Sequence, residues 1–135
     1  MYVTKSGLLL DQAIAEIGVG GPLEAPKAAL FTNDFFPVRT SVFADFTIGN
    51  FGGLTNVKNV VWGAPFINGL QQAEVWAGLL NWLTTALTLL PITAFGWVLL
   101  DTAGTDWLIA ERFAESVEFT YSGQNFGMVP RAKWN

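Results

Sequence analysis

VWAGLLNWLTTALTLLPITAFGWVLLDTAGTDWLIAERF, residues 75–113, decides how the whole chain is read. From Val75 to Leu100 it carries no charged residue. About 20 apolar residues suffice to span a bilayer as a helix, so a hydropathy scan flags the run as a membrane segment. Its inner residues argue otherwise. Asn81, Thr84, Thr85, Thr88, Thr93, Pro91 and two glycines suit a pair of strands joined by a Pro-containing turn better than a lipid-facing helix. In Phe95–Leu100 both faces are apolar, the pattern of a strand buried on both sides. Asp101–Thr105 (DTAGT) then supplies residues that tolerate tight-turn geometry, so Gly96–Leu100 and Trp107–Phe113 are predicted to form a hairpin.

Downstream, Val117–Tyr121 alternates, with Val, Phe and Tyr on one face and Glu and Thr on the other, as a strand with one wet face does. Ser122–Asn125 turns the chain. Phe126–Trp134 is predicted to be a last strand in which Met128, Pro130, Ala132 and Trp134 share a face, and Pro130 assigns it to an edge. Upstream, Ser6 is the expected cap of one amphipathic helix with apolar positions Leu10, Ile14 and Ile17, stopped by Gly18 and the Gly20–Pro22 run. Lys27–Thr32 reads as a strand, Asn33–Asp34 with Pro37 as a turn, and Ser41 as the cap of a single helical turn through Asp45. A loop at Gly49, Gly52 and Gly53 precedes two short strands, Val57–Trp62 and Ala64–Ile67. Short strands spaced by turn residues predict an all-β fold, a β-sandwich or jelly-roll-like barrel with one short N-terminal helix. The 135 residues fit a single domain, with residues 1–26 as a helix and Gly/Pro linker arm.

Composition narrows function. Hydrophobic residues are 51% of the chain and charged ones 13%, about half the share of roughly 25% usual in soluble domains. Covering by other protein subunits accounts for that balance, and a membrane location is the reading set aside. The net charge is −4 and the seven basic residues are scattered, which argues against nucleic-acid binding. The Met1 end lacks the continuous apolar stretch of a secretory signal.

The chain has neither Cys nor His, which removes thiolate catalysis, disulfides, the commonest general base and the commonest zinc ligand. Carboxylate pairs remain. Glu111 with Glu115, or Asp101 with Asp106, could face each other as glycosidase pairs do, and Asp34 with Asp45 could offer oxygen ligands to calcium. All flank turns, where solvated charge is the simpler account. No catalytic residue, cofactor or metal is assigned. The six tryptophans admit three roles: core packing, an oligomer interface and a carbohydrate platform. The candidate interface comprises Trp76, Trp82, Trp97, Trp107, Trp134 and the adjacent pair Glu111 and Arg112. Mid-strand neighbours point to opposite faces, so Glu111 and Arg112 must find different partners, across strands or across subunits.

The segments ALFTNDFFPVRTSVFADFTIGNFGG (29–53), NVVWGAPF (59–66), TAFGWVLLDTAGTDWLIAERF (93–113) and VPRAKW (129–134) resemble a widespread type of small protein encoded among the virion genes of tailed bacteriophages. The shared pattern is L-F-x-N, then D-F-T-x-x-x-F-x-G, W-G-x-P, G-W-V-L-x-D-x-x-G leading into A-E-R-F, and V-x-P-R. The chain departs from it over Gln71–Leu90, which is richer in Trp and Leu. The resemblance implies a virion protein at the capsid surface, a decoration (cement) subunit. Its implied partners are the major capsid protein or other virion proteins and copies of itself, a trimer being favoured. A tail or spike module that recognises a host glycan is the alternative. The family pattern carries no catalytic residues.

Overall fold

The computed structural model describes residues 4–51 and 56–135, so Gly52 and Gly53 of the expected loop lie outside it. In chain order the elements are α1 (Lys5–Ile17), β1 (Lys27–Phe31), a 3-10 turn (Phe43–Asp45), β2 (Lys58–Asn59), β3 (Phe66–Ile67), β4 (Ala73–Trp76), β5 (Leu80–Leu83), β6 (Ile92–Leu100), β7 (Trp107–Phe119), β8 (Asn125–Met128) and β9 (Arg131–Trp134). Among the described residues the chain is β-rich with a single short N-terminal α-helix. Its strands form three antiparallel sheets, ordered β2-β1-β6-β7, β3-β4-β9 and β5-β8.

The hairpin β6–β7 forms where expected, with Leu100 opposite Trp107. Its turn is closed by Asp101, whose N–H donates to the Asp106 carbonyl at 2.9 Å and whose carboxylate accepts the Thr105 N–H at 2.9 Å. Gly104 sits at φ 74°, in the left-handed region. Beside β6 lies β1, with Ala28 opposite Leu99 and Leu30 opposite Trp97. Strand alternation then divides these residues between two cores. Ala28, Leu30, Trp97 and Leu99 join Trp82, Phe51 and Phe119 on one side of the sheet. Ala29, Phe31, Val98 and Leu100 pack under Phe46 on the other. This is why Phe95–Leu100 shows no wet face in sequence.

The second core is roofed by the segment after β1. Asn33 bridges it, donating to the Asp45 carbonyl and accepting the Thr47 N–H, each at 2.8 Å. The single helical turn is present, but Ser41 does not cap it. The Asp45 carboxylate accepts the Val42 N–H, and Ser41 Oγ accepts the Val38 N–H instead. On α1 the cap is Thr4, whose Oγ1 accepts the Gly7 N–H at 3.0 Å, so Ser6 falls inside the first turn. The helix is seated through Ala13, which is fully buried, while Ile14 is half exposed. The segment expected as a linker arm rests on the domain, α1 lying against β4 and β9.

The expected strands Val57–Trp62 and Ala64–Ile67 shorten to β2 and β3, and two further boundaries differ from expectation. Val117–Phe119 is no separate strand but the far end of β7, which pairs with β6 twice: Gly96 faces Arg112, then Ala94 faces Val117, so β7 slips by three residues. Phe126–Trp134 divides at Pro130 into β8 and β9, which take different partners. The division is shallow. β4 and β5 run against β9 and β8 as one long ribbon, and the Ala77 N–H donates to the Pro130 carbonyl at the join. The run 75–100 is strand, turn and strand, and no helix among the described residues is long and apolar enough to cross a membrane. The Leu90–Pro91 peptide bond in its turn is cis.

Candidate interaction surface

The tryptophans do not form one surface. Trp82 is 1% exposed and Trp97 5% exposed, both inside the first core, so these two candidate interface residues are corrected to core residues. Their strands are covered on that face by the facing sheet, and a large apolar ring is worth most where water is excluded. The Trp82 indole donates to the Asn56 carbonyl. Trp107 and Trp134 are half-buried and anchored, Trp107 on the Ser41 carbonyl and Trp134 on the Glu16 carboxylate. Trp62 likewise donates to the Leu23 carbonyl. Of the six, only Trp76 opens widely to solvent.

Trp76 belongs to a polar cluster that cross-strand pairing assembles. Phe66 stands opposite Glu74, Glu74 opposite Lys133, and Trp76 opposite Arg131, so all five side chains share the outer face of β3-β4-β9. The Arg131 guanidinium lies over the Trp76 ring at 4.1 Å, and Phe66 meets it edge-on at 6.0 Å. Glu74 is buried beneath them. It accepts from Asn68 Nδ2 at 3.1 Å and from the Trp76 indole, with Lys133 Nζ at 3.7 Å. Those hydrogen bonds, with help from the Lys133 and Arg131 charges, hold its carboxyl below the ordinary carboxylate range although burial opposes them.

Glu111 is exposed on β7. Arg112 points the other way, as alternation requires. It pairs with Asp34 at 2.8 Å, donates to the Phe35 carbonyl at 2.7 Å and lies over the Phe36 ring at 4.2 Å. Its partner comes from the roofing segment rather than from a neighbouring strand. Of the carboxylates considered for chemistry, three are engaged locally: Asp34 by Arg112, Asp45 by its turn, and Asp101 by backbone N–H donors of Thr105 and Asp106, which lower its pKa; Glu111, Glu115 and Asp106 are exposed. Among the described residues no group of three or more acidic side chains is gathered as a metal site requires.

The feature that sequence reading missed is how the uncharged run is turned. Along β5 and the following loop Thr84 and Thr88 point inward with Leu80 and Leu90, while four other leucines point outward. Thr84 Oγ1 donates to the Tyr121 carbonyl at 2.7 Å and Thr88 Oγ1 to the Phe51 carbonyl, so both hydroxyls are buried and satisfied. Leu79, Leu83, Leu87 and Leu89 are 63%, 42%, 73% and 85% exposed. Trp82, buried between them, was the available signal. On a strand its neighbours must face the other side.

Two open concavities adjoin these elements. One of about 450 Å³ is lined by Ile14, Ile17, Val61, Trp62 and Pro65, and one of about 460 Å³ by Phe36, Pro37, Arg112 and Phe113. The chain matches no model of a known protein family, no curated protein and no solved structure.

Proposed function

We propose that the chain is a structural subunit of a bacteriophage virion, a capsid decoration (cement) protein that binds the major capsid protein and copies of itself at the capsid surface. The observation that carries this reading is the exposed leucine row, Leu79, Leu83, Leu87 and Leu89, on a stretch without a single charge. A solvated face normally breaks such a row with charge, and apolar patches rimmed by polar groups favour burial against protein. The resemblance of four ordered segments to phage virion proteins supplies the setting. Quantitative mass spectrometry of purified particles tests it. A copy number comparable to that of the capsomers is expected; a tail-scale number moves the subunit to the tail or neck, and absence from particles ends the proposal.

A tail or spike module that recognises a host glycan is the second reading, favoured by one feature: Trp76 is open beside Phe66, Arg131 and Lys133. Aromatic faces flanked by donors stack on sugar rings. Titration with host polysaccharide followed by tryptophan fluorescence decides it, and an unchanged spectrum at millimolar sugar removes it.

A further inference from the structure

Sheet edges are templates for pairing, and proteins blunt them with charge, shortness or bulges. Among the described residues the edges follow that rule with one exception on the ribbon. β2 is two residues long and holds Lys58; β3 is two residues long; β9 carries Arg131 and Lys133. β7 carries Glu111, Arg112, Glu115 and Glu118 and is broken by its three-residue slip. The outer edge of β4 is covered by residues 61–67, where the Gly63 N–H donates to the Trp76 carbonyl and the Gly78 N–H to the Val61 carbonyl. That cover ends at Gly78. β5, the next strand of the same ribbon, is uncharged and among the described residues pairs with no strand but β8; Leu79 just before it and Leu83 at its end are exposed. β8 is uncharged as well, but its outward residues are Asn125 and Gly127, with no apolar side chain to bury.

We propose that β5 is a self-association edge, where two copies of the chain join antiparallel into one sheet of order β8-β5-β5-β8. This rests on the reading of the chain as a self-associating subunit and names its contact. The Thr84 N–H donates to the Gln124 carbonyl at 2.9 Å, so Thr84, Trp82 and Leu80 turn their backbone groups toward β8. Alternation turns those of Asn81 and Leu83 outward. A two-fold axis perpendicular to the sheet at Trp82 sets Asn81 opposite Leu83 of the partner subunit. Each such pair exchanges both of its hydrogen bonds. The same register lays Leu83 diagonally against Leu79 of the partner subunit, within reach of long side chains. Symmetry brings each side chain near its own copy, so a charge here would meet a like charge, and the run from Val75 to Leu100 has none. A two-stranded ribbon is marginal alone and four strands are not. Because each copy has one such edge, the contact closes at a dimer and not at the trimer expected from sequence.

The test is the mass of the purified chain in solution at high micromolar concentration, by sedimentation or light scattering. The expected mass is twice 14.7 kDa. Leu83→Lys and, separately, Leu79→Lys place charge on exposed side chains beside the edge; both are expected to give a monomer with unchanged circular dichroism and tryptophan emission. Val19→Lys, at a site 97% exposed on the loop after α1, is expected to remain a dimer. A monomeric or trimeric native chain overturns the proposal. So does a dimer that survives both leucine substitutions or dissociates equally with Val19→Lys. Copy number in particles is read separately, so a monomer present at capsomer-scale number sinks the β5 contact and leaves the virion reading standing.

Discussion

A methyl group at Gly96 would lie 2.3 Å from the Glu111 carbonyl oxygen and 2.5 Å from Phe31 Cζ. The register explains the crowding: Gly96 stands between Phe31 on one side and Arg112 on the other, and the Phe31 ring lies across the missing side chain. Ring and backbone are both fixed by the second core, so neither can yield. Gly96→Ala is expected to destabilise by about 1–3 kcal/mol, the range for overpacking a filled core. Gly69→Ala, where a Cβ meets nothing within 4 Å, is expected to change stability by no more than about 0.5 kcal/mol. Urea midpoints of the two variants check both. Glu74 makes the complementary case for a polar residue. Its hydrogen bonds favour the charged form, so its folded pKa lies below the ordinary 4.5. The stabilisation is therefore complete above pH 4.5 and is lost as pH falls through the lower folded value. Glu74→Gln cannot titrate, so its urea midpoint should fall less steeply than that of the native chain below pH 4.5. Asp101 titrates in both proteins and cancels from the comparison. Parallel curves would show that Glu74 does not contribute to the pH dependence.

Among the elements, those legible in sequence are set by local chemistry. The β6–β7 hairpin is one, because Asp101 and Gly104 each perform a backbone task that few residues can. A β-branched side chain at the positive φ of Gly104 strains the turn, so Gly104→Val is expected to cost about 1–2 kcal/mol. Thermal unfolding measures that loss, and an unchanged midpoint would mean that the turn relaxes to another type. What stayed hidden depends on partners distant in sequence. Nothing near Phe113 announces that β7 slips three residues past Phe95, since the slip is set by what both halves of β7 must bury. The inversion in β5 was hidden for a related reason. Thr84 and Thr88 look like the wet positions until Tyr121 and Phe51 supply carbonyls for their hydroxyls, 37 residues away in each case. The same inversion changed the candidate interface: it took Trp82 into the core and brought Leu79 and Leu83 to the surface. Trp97 could have been assigned to the core from sequence, because it lies in the one strand that is apolar on both faces.

At the scale of the whole molecule, the first helix and the last strand hold each other. α1 lies on β4 and β9, and the Trp134 indole donates to Glu16 near the end of the helix. This contact has little redundancy. A 13-residue helix is marginal in water without tertiary support, and the fully buried residue on α1 is Ala13. Ala13→Asp places a carboxylate at a site with no exposure. Burying an unpaired charge costs several kcal/mol, more than a short helix gains by docking. The helix is therefore expected to detach and melt while the three sheets persist. Far-UV circular dichroism should lose its helical component and keep the strand signal. Tryptophan emission should shift to the red as Trp134 loses its cover, while the buried Trp82 and Trp97 stay blue. Complete loss of the strand signal would instead make α1 part of one cooperative unit with the sheets. A spectrum identical to that of the native chain would mean that Ala13 is not the seat of the helix.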